Sequence, residues 1–151
     1  MKLRFIFGGV AVIWLASVSH GALQAKQAAA PAGGGARTVW DGVFSKEQAD
    51  RGAAQFKQSC SDCHGNDLAG DGFAPALTGS DFMGNWTDLS VGDLFERIRI
   101  SMPPSGPSGV TPDQKADIVA HILNFNKFPA GTGVLEPKTE VLKQIKIEMK
   151  K

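Results

Sequence analysis

Apolar residues recur at helical spacing in three stretches of the chain, which predicts three amphipathic helices. They cover residues 46–58, 89–100 and 112–126. Each stretch has a residue that favours an N-cap at or near its start: Ser45 for the first, Ser90 or Asp88 for the second, and Thr111 for the third. Gln48 and Gln114, three residues after the first and last of these caps, are placed to complete capping boxes. Residues 65–86 are rich in glycine, which predicts a long loop between the first two helices.

Gly52 lies on the apolar face of the first predicted helix, together with Phe56. A glycine inside a helix costs about 1 kcal/mol relative to alanine. Its presence favours a position where another backbone or a ring comes close, and a weak point in an ordinary helix is the alternative. We therefore expect a close contact at Gly52.

The two ends of the chain differ in composition from its middle. Residues 1–25 combine two early basic residues with an apolar run of 15 residues (Phe5–Ser19), which is typical of a secretory signal peptide. This run is shorter than the ~20 residues of a spanning helix, which favours cleavage over the alternative of an uncleaved membrane anchor. Residues 26–40 form a flexible Ala/Gly/Pro linker, residues 41–130 one small domain, and residues 131–151 a C-terminal tail of uncertain role. The signal predicts a bacterial periplasmic protein, or, under the alternative, one tethered to the membrane and facing the periplasm.

The motif Cys60-Ser61-Asp62-Cys63-His64 has the spacing of a c-type haem attachment site. Two thiols at this spacing reach the two vinyl groups on one edge of a porphyrin, and the histidine that follows is held beneath the iron. A thioredoxin-type disulfide does not require the histidine. A zinc site needs four ligands, and the sequence has no second pair of cysteines or histidines at similar spacing. The motif therefore predicts one haem c, attached through Cys60 and Cys63, with His64 as an iron ligand.

Two residues of the glycine-rich loop are candidates for supporting the haem. Pro75 has no N–H, but its carbonyl is free to accept a hydrogen bond from the ring of His64, which would fix the orientation of that ring. A plain turn residue is the alternative. Trp86 has one indole donor and a large apolar body, so it is placed to cover the haem edge and donate to a propionate. A half-buried core tryptophan is the alternative.

Met102 is the candidate for the second axial ligand. Pro103 keeps it out of helical geometry, so its thioether is presented from a stiff, extended segment. It follows His64 by 38 residues, enough chain to reach the other face of the haem. Met83 is the second candidate, and His121 is predicted to be a helix-surface histidine, although it is also a possible ligand.

Charge is unevenly distributed along the chain. Residues 41–126 contain 12 acidic and 6 basic side chains, so this segment has a net charge of −6. An acidic surface disfavours binding to nucleic acid. It suits a redox partner with basic residues around its own site, and simple solubility is the alternative explanation.

Over about residues 41–128 the chain resembles the class I cytochromes c. The residues that carry the resemblance are the attachment motif, Pro75, Trp86, the Met102-Pro103 pair and the closing helix. The resemblance implies an all-α cytochrome c fold, with three main helices and long loops wrapped around one covalent haem. It also implies that His64 and Met102 are the axial ligands, that Pro75 orients His64 and that Trp86 meets a propionate. In that family the first and last helices cross, and the matching pairs are Gly52 with Phe56 and Ile122 with Phe125.

The resemblance implies a periplasmic monohaem electron carrier, and the sequence shows no catalytic set that would make it an enzyme. The segment Phe128-Pro129-Ala130-Gly131 is similar to the ending of small bacterial cytochromes that work beside quinoprotein and other dehydrogenases. It implies a periplasmic dehydrogenase as electron donor and an oxidase or another cytochrome of the respiratory chain as acceptor. We expect no nucleic-acid partner and no membrane span after signal cleavage. A haem sensor, or a haem enzyme subunit with an open or labile sixth iron position, is the alternative.

Overall fold

The structure is a computed structural model, and it describes residues 37–150. The predicted signal peptide and the part of the predicted linker before residue 37 lie outside the described residues. Between residues 37 and 150, no helix is long and apolar enough to cross a membrane.

Helices dominate the described residues, which confirms the all-α prediction. The helices are α1 (Lys46–Ser59), α2 (Ser61–His64), α3 (Gly79–Trp86), α4 (Val91–Ser101), α5 (Pro112–Phe125) and α6 (Thr139–Leu142). A short 3-10 turn covers Pro107–Gly109, and two strands, β1 (Arg37–Thr38) and β2 (Ile145–Lys146), pair in parallel.

The helix starts follow the capping residues seen in the sequence. The hydroxyl groups of Ser90 and Thr111 begin α4 and α5 with complete capping boxes. Ser45 caps α1, but the capping box predicted for Gln48 is wrong. The buried Gln48 side chain instead exchanges two hydrogen bonds of 3.0 and 2.9 Å with the backbone of Leu135. This amide therefore joins α1 to the C-terminal segment.

Helices α1 and α5 cross at Gly52, as predicted. A Cβ atom at this position would overlap the carbonyl group of Asp117 on α5. One residue earlier, the Arg51 guanidinium donates two hydrogen bonds of 2.9 Å to the Asp117 carboxylate. The missing side chain therefore sets how close the two helix backbones come.

The prediction of a continuous loop over residues 65–86 is wrong in its last third, which forms α3. Two tertiary features stabilise this short helix. The Asn126 side-chain oxygen accepts a hydrogen bond from the Gly79 N–H at the helix start, and Phe82 is fully buried. The hydrogen bond comes from a residue distant in sequence, and the burial of Phe82 comes from tertiary packing. The glycine-rich composition of the segment therefore gave no indication of this helix.

Residues 37–40 and 131–150 pack against the helices. The Val39 N–H donates to the Lys146 carbonyl, and the indole N–H of Trp40 donates to the Glu148 carbonyl. Val39 is itself fully buried. The interpretation of residues 37–40 as flexible linker is therefore corrected, because their apolar side chains and backbone groups are paired with the tail. The buried tail residues are Leu135, Leu142, Ile145 and Ile147.

Candidate functional site

A cavity of about 670 Å³ opens among α1, α4, α5 and the loop that follows α2. Its volume lies in the range of small-molecule and cofactor pockets. The structure brings all six predicted site residues to this one cavity, and these are Cys60, Cys63, His64, Pro75, Trp86 and Met102. Apolar side chains from three helices form much of the remaining wall, among them Phe56, Leu94, Ile98, Ile118 and Ile122.

Both cysteines sit at the junction between α1 and α2. The N–H of Cys60 donates to the Phe56 carbonyl, and its own carbonyl accepts from the N–H groups of Cys63 and His64. One tight turn thus places both sulfurs and the imidazole at the same cavity. Both thiols are free, Cys63 is exposed and Cys60 is half-buried. Burial, followed by the neighbouring Cys63, raises the pKa of Cys60 to about 11, so Cys60 remains a protonated thiol at neutral pH.

The ring of His64 is buried and is held from one side. Its Nδ1 lies 3.0 Å from the carbonyl oxygen of Pro75. Because that oxygen can only accept, Nδ1 carries the proton, and Nε2 remains free as a metal ligand. The backbone around Gly70 brings the two segments together, since the Gly70 N–H donates to the His64 carbonyl and a Cβ at Gly70 would overlap Ala74.

Met102 ends α4 in an extended conformation, with φ −125° and ψ 138°, as the following proline predicts. Its N–H still donates to the Ile98 carbonyl at 3.0 Å, so its backbone is fixed to the last turn of the helix. The side chain is partly buried and lines the cavity.

The alternative ligands lie elsewhere. Met83 lines a separate, smaller cavity of about 260 Å³ beside Trp40 and Phe128. His121 packs between the rings of Phe56 and Phe125, at 5.4 and 6.0 Å between centroids, and does not line the large cavity. Burial lowers the pKa of His121, as expected for a half-buried imidazole without a close ion partner.

Trp86 ends α3 half-buried and lines the cavity. Next to it in sequence is Asn85, and facing the same cavity from α4 is Arg97. Sequence reasoning missed both residues. The available signal was that Arg97 follows Leu94 by three residues, so it borders the apolar face of its helix.

The chemistry of these residues fits haem c. Two free thiols face the cavity for thioether bonds, an imidazole presents Nε2, and the walls are apolar enough for a flat macrocycle. Met102, which carries a second soft donor atom, lines the same cavity.

Comparison with protein families gives one match. The family model described as "Cytochrome C oxidase, cbb3-type, subunit III" matches residues 47–122, which run from α1 into α5 and include every residue of the predicted site. No curated protein and no solved structure matches the chain.

Proposed function

The chain belongs to the c-type cytochrome family that the cbb3-type oxidase subunit III model describes, and we propose that it is a periplasmic electron carrier with a single haem. Membership makes it a haem c protein of electron transfer. The observation that supports the carrier role best is that His64 and Met102 line one cavity, with Nδ1 of His64 held by the Pro75 carbonyl. If both residues bound the iron of the haem, no position at the metal would remain for a substrate.

Each cavity residue has a specific role in this proposal. Cys60 and Cys63 would hold the haem through thioether bonds, and His64 and Met102 would bind its iron. Pro75 keeps the His64 ring in place through the 3.0 Å contact with Nδ1. Trp86 donates its indole N–H to a propionate.

The chain's own residues determine how readily the site exchanges electrons. Haem c supplies an iron that takes up and releases one electron. The apolar walls from α4 and α5 exclude water, and Met opposite His favours a higher reduction potential. The Met102 N–H bond to the Ile98 carbonyl holds the backbone of this residue, which would limit its movement as an iron ligand.

We propose a periplasmic dehydrogenase, of quinoprotein type, as the donor, and an oxidase or another cytochrome of the respiratory chain as the acceptor. The net charge of −6 over residues 41–126 supports partners with basic residues around their redox sites. The apolar run near the start of the chain supports export to the periplasm.

The Met102 ligand is tested by comparing Met102→Ala with Met83→Ala in the exported holoprotein. We expect Met102→Ala to retain haem after acid–acetone extraction but to lose the far-red charge-transfer band of the oxidised protein and to have a lower potential. Met83→Ala is the matched control, because Met83 lines the other cavity, and it should keep the band. An unchanged band in Met102→Ala would refute the assignment.

A subunit of a haem enzyme is the second candidate, because the matching family is described as an oxidase subunit. The form of this role that differs from a carrier is a subunit whose iron would have an open or labile sixth position. Carbon monoxide distinguishes the two candidates: rapid binding to the reduced wild-type protein supports the enzyme subunit, and absence of binding supports the carrier.

A further inference from the structure

Lys115 on α5 is a buried cation that has no part in the proposed haem site. Only 2 % of its surface is exposed, and its side chain does not line the large cavity. Lysine is almost never buried unless its ammonium group has partners. Within residues 37–150 Lys115 forms no ion pair, and its partners are two backbone carbonyls. The positions of these two carbonyls therefore show what the buried cation holds together.

The two carbonyls lie on either side of Met102 in the chain. The ammonium group donates at 2.9 Å to the carbonyl of Arg99, in the last turn of α4, and at 2.6 Å to that of Pro107, in the 3-10 turn. Carbonyls in the last turn of a helix have no partner within the helix, and a cation near them also interacts favourably with the helix dipole. One nitrogen atom thus joins both ends of segment 99–107, and Met102 lies inside this loop.

The loop after Met102 has few other attachments. Three of the eight residues of segment 103–110 are prolines and have no N–H. The N–H groups of Gly106 and Gly109 donate to carbonyls of the segment itself. Among the described residues, the bond from Lys115 is the one hydrogen bond that joins this segment to another element, and the buried side chain of Val110 anchors its end. The closed position of the loop therefore depends strongly on Lys115.

We propose that Lys115 is a positioning residue for Met102, and that its two hydrogen bonds keep the loop closed and protect the methionine ligand from replacement. The inference rests on the proposed function, in which Met102 binds the iron. Another ligand can take the place of Met102 only when this residue moves away, and the loop that carries it must then open locally. Opening breaks charge-assisted hydrogen bonds, which are stronger than neutral ones, and leaves a buried cation without partners.

The test is a titration of the oxidised holoprotein with imidazole, followed by the loss of the far-red band, in the wild type, Lys115→Met and Lys115→Gln. Lys115→Met keeps the length of the buried side chain, and Lys115→Gln is a shorter polar replacement. In both variants we expect the dissociation constant for imidazole to fall about ten- to a hundredfold, because the closed loop loses hydrogen bonds from a charged donor. The far-red band without imidazole should remain present at room temperature.

Val39→Ala is the matched control, because it removes buried volume from a side chain that does not line the large cavity. It destabilises the fold without touching the loop, so its affinity for imidazole should equal that of the wild type, and urea titration of all variants relates each affinity to the loss of stability. A wild-type affinity in either Lys115 variant would overturn the proposal, as would an equal rise in Val39→Ala. A wild type that lacks the far-red band would instead refute Met102 as the ligand, and this inference with it.

Discussion

Replacing Gly52 with alanine tests whether the crossing of α1 and α5 builds the cavity. The added Cβ would overlap the backbone carbonyl of Asp117 and would lie 2.9 Å from the Cβ of His121. A backbone carbonyl within a helix cannot turn away like the end of a flexible side chain. The two helices must therefore separate, and they carry the wall residues Phe56 and Ile122.

Two effects with opposite signs determine the magnitude. Alanine is favoured over glycine inside a helix by about 1 kcal/mol. Overpacking a tight contact costs about 1–3 kcal/mol, and the rigidity of the Asp117 backbone favours the upper end. The net loss is then about 1–2 kcal/mol, which corresponds to a melting temperature lower by about 4–8 °C in a domain of this size.

The assay is thermal unfolding of the holoprotein by circular dichroism, with haem content measured on the same samples. Gly84→Ala in α3 is the control, because a Cβ there would meet no atom within 4 Å. Gly84→Ala should be as stable as the wild type or more stable by up to about 1 kcal/mol. If Gly52→Ala shows the same gain, the close crossing does not exist and the argument fails.

Two further substitutions test the supports on either side of α4. The ammonium group of the buried Lys115 donates hydrogen bonds to the carbonyls of Arg99 and Pro107. Lys115→Met should therefore lower the unfolding free energy by about 1–3 kcal/mol, measured by urea titration. On heating, the far-red band of this variant should be lost at a lower temperature than that of the wild type. Equal midpoints would contradict this role. Hydrogen bonds from Arg99, and next from Thr139, lower the pKa of Glu96 to about 2. Its stabilising effect is present above the usual pKa of 4.5 and disappears as the pH falls towards 2, so Glu96→Gln should melt earlier than the wild type near neutral pH but not at the acidic end. A difference that persists unchanged at low pH would exclude this carboxylate as its source.

The three main helices and their caps could be predicted because each depends on a local pattern. The attachment motif, Pro75 and Met102 were accessible for a similar reason, since spacing and proline geometry restrict them directly. Helix α3 was not predictable, because the Asn126 side chain that holds its start lies 47 residues away. Arg97 was missed because an arginine beside an apolar face has many uses, and only the structure shows that it lines the cavity.

The two ends of the described chain and the cavity contribute differently to the stability of the fold. Residues 37–40 and the tail contribute buried side chains such as Val39, Leu135 and Ile147, and they join the helices through backbone hydrogen bonds. Leu94, Ile118 and Ile122 are almost fully buried in the core and also line the cavity of about 670 Å³. A ligand that binds only the folded state stabilises that state. Perturbations of the wall should therefore reduce haem retention before they unfold the segment held by the tail.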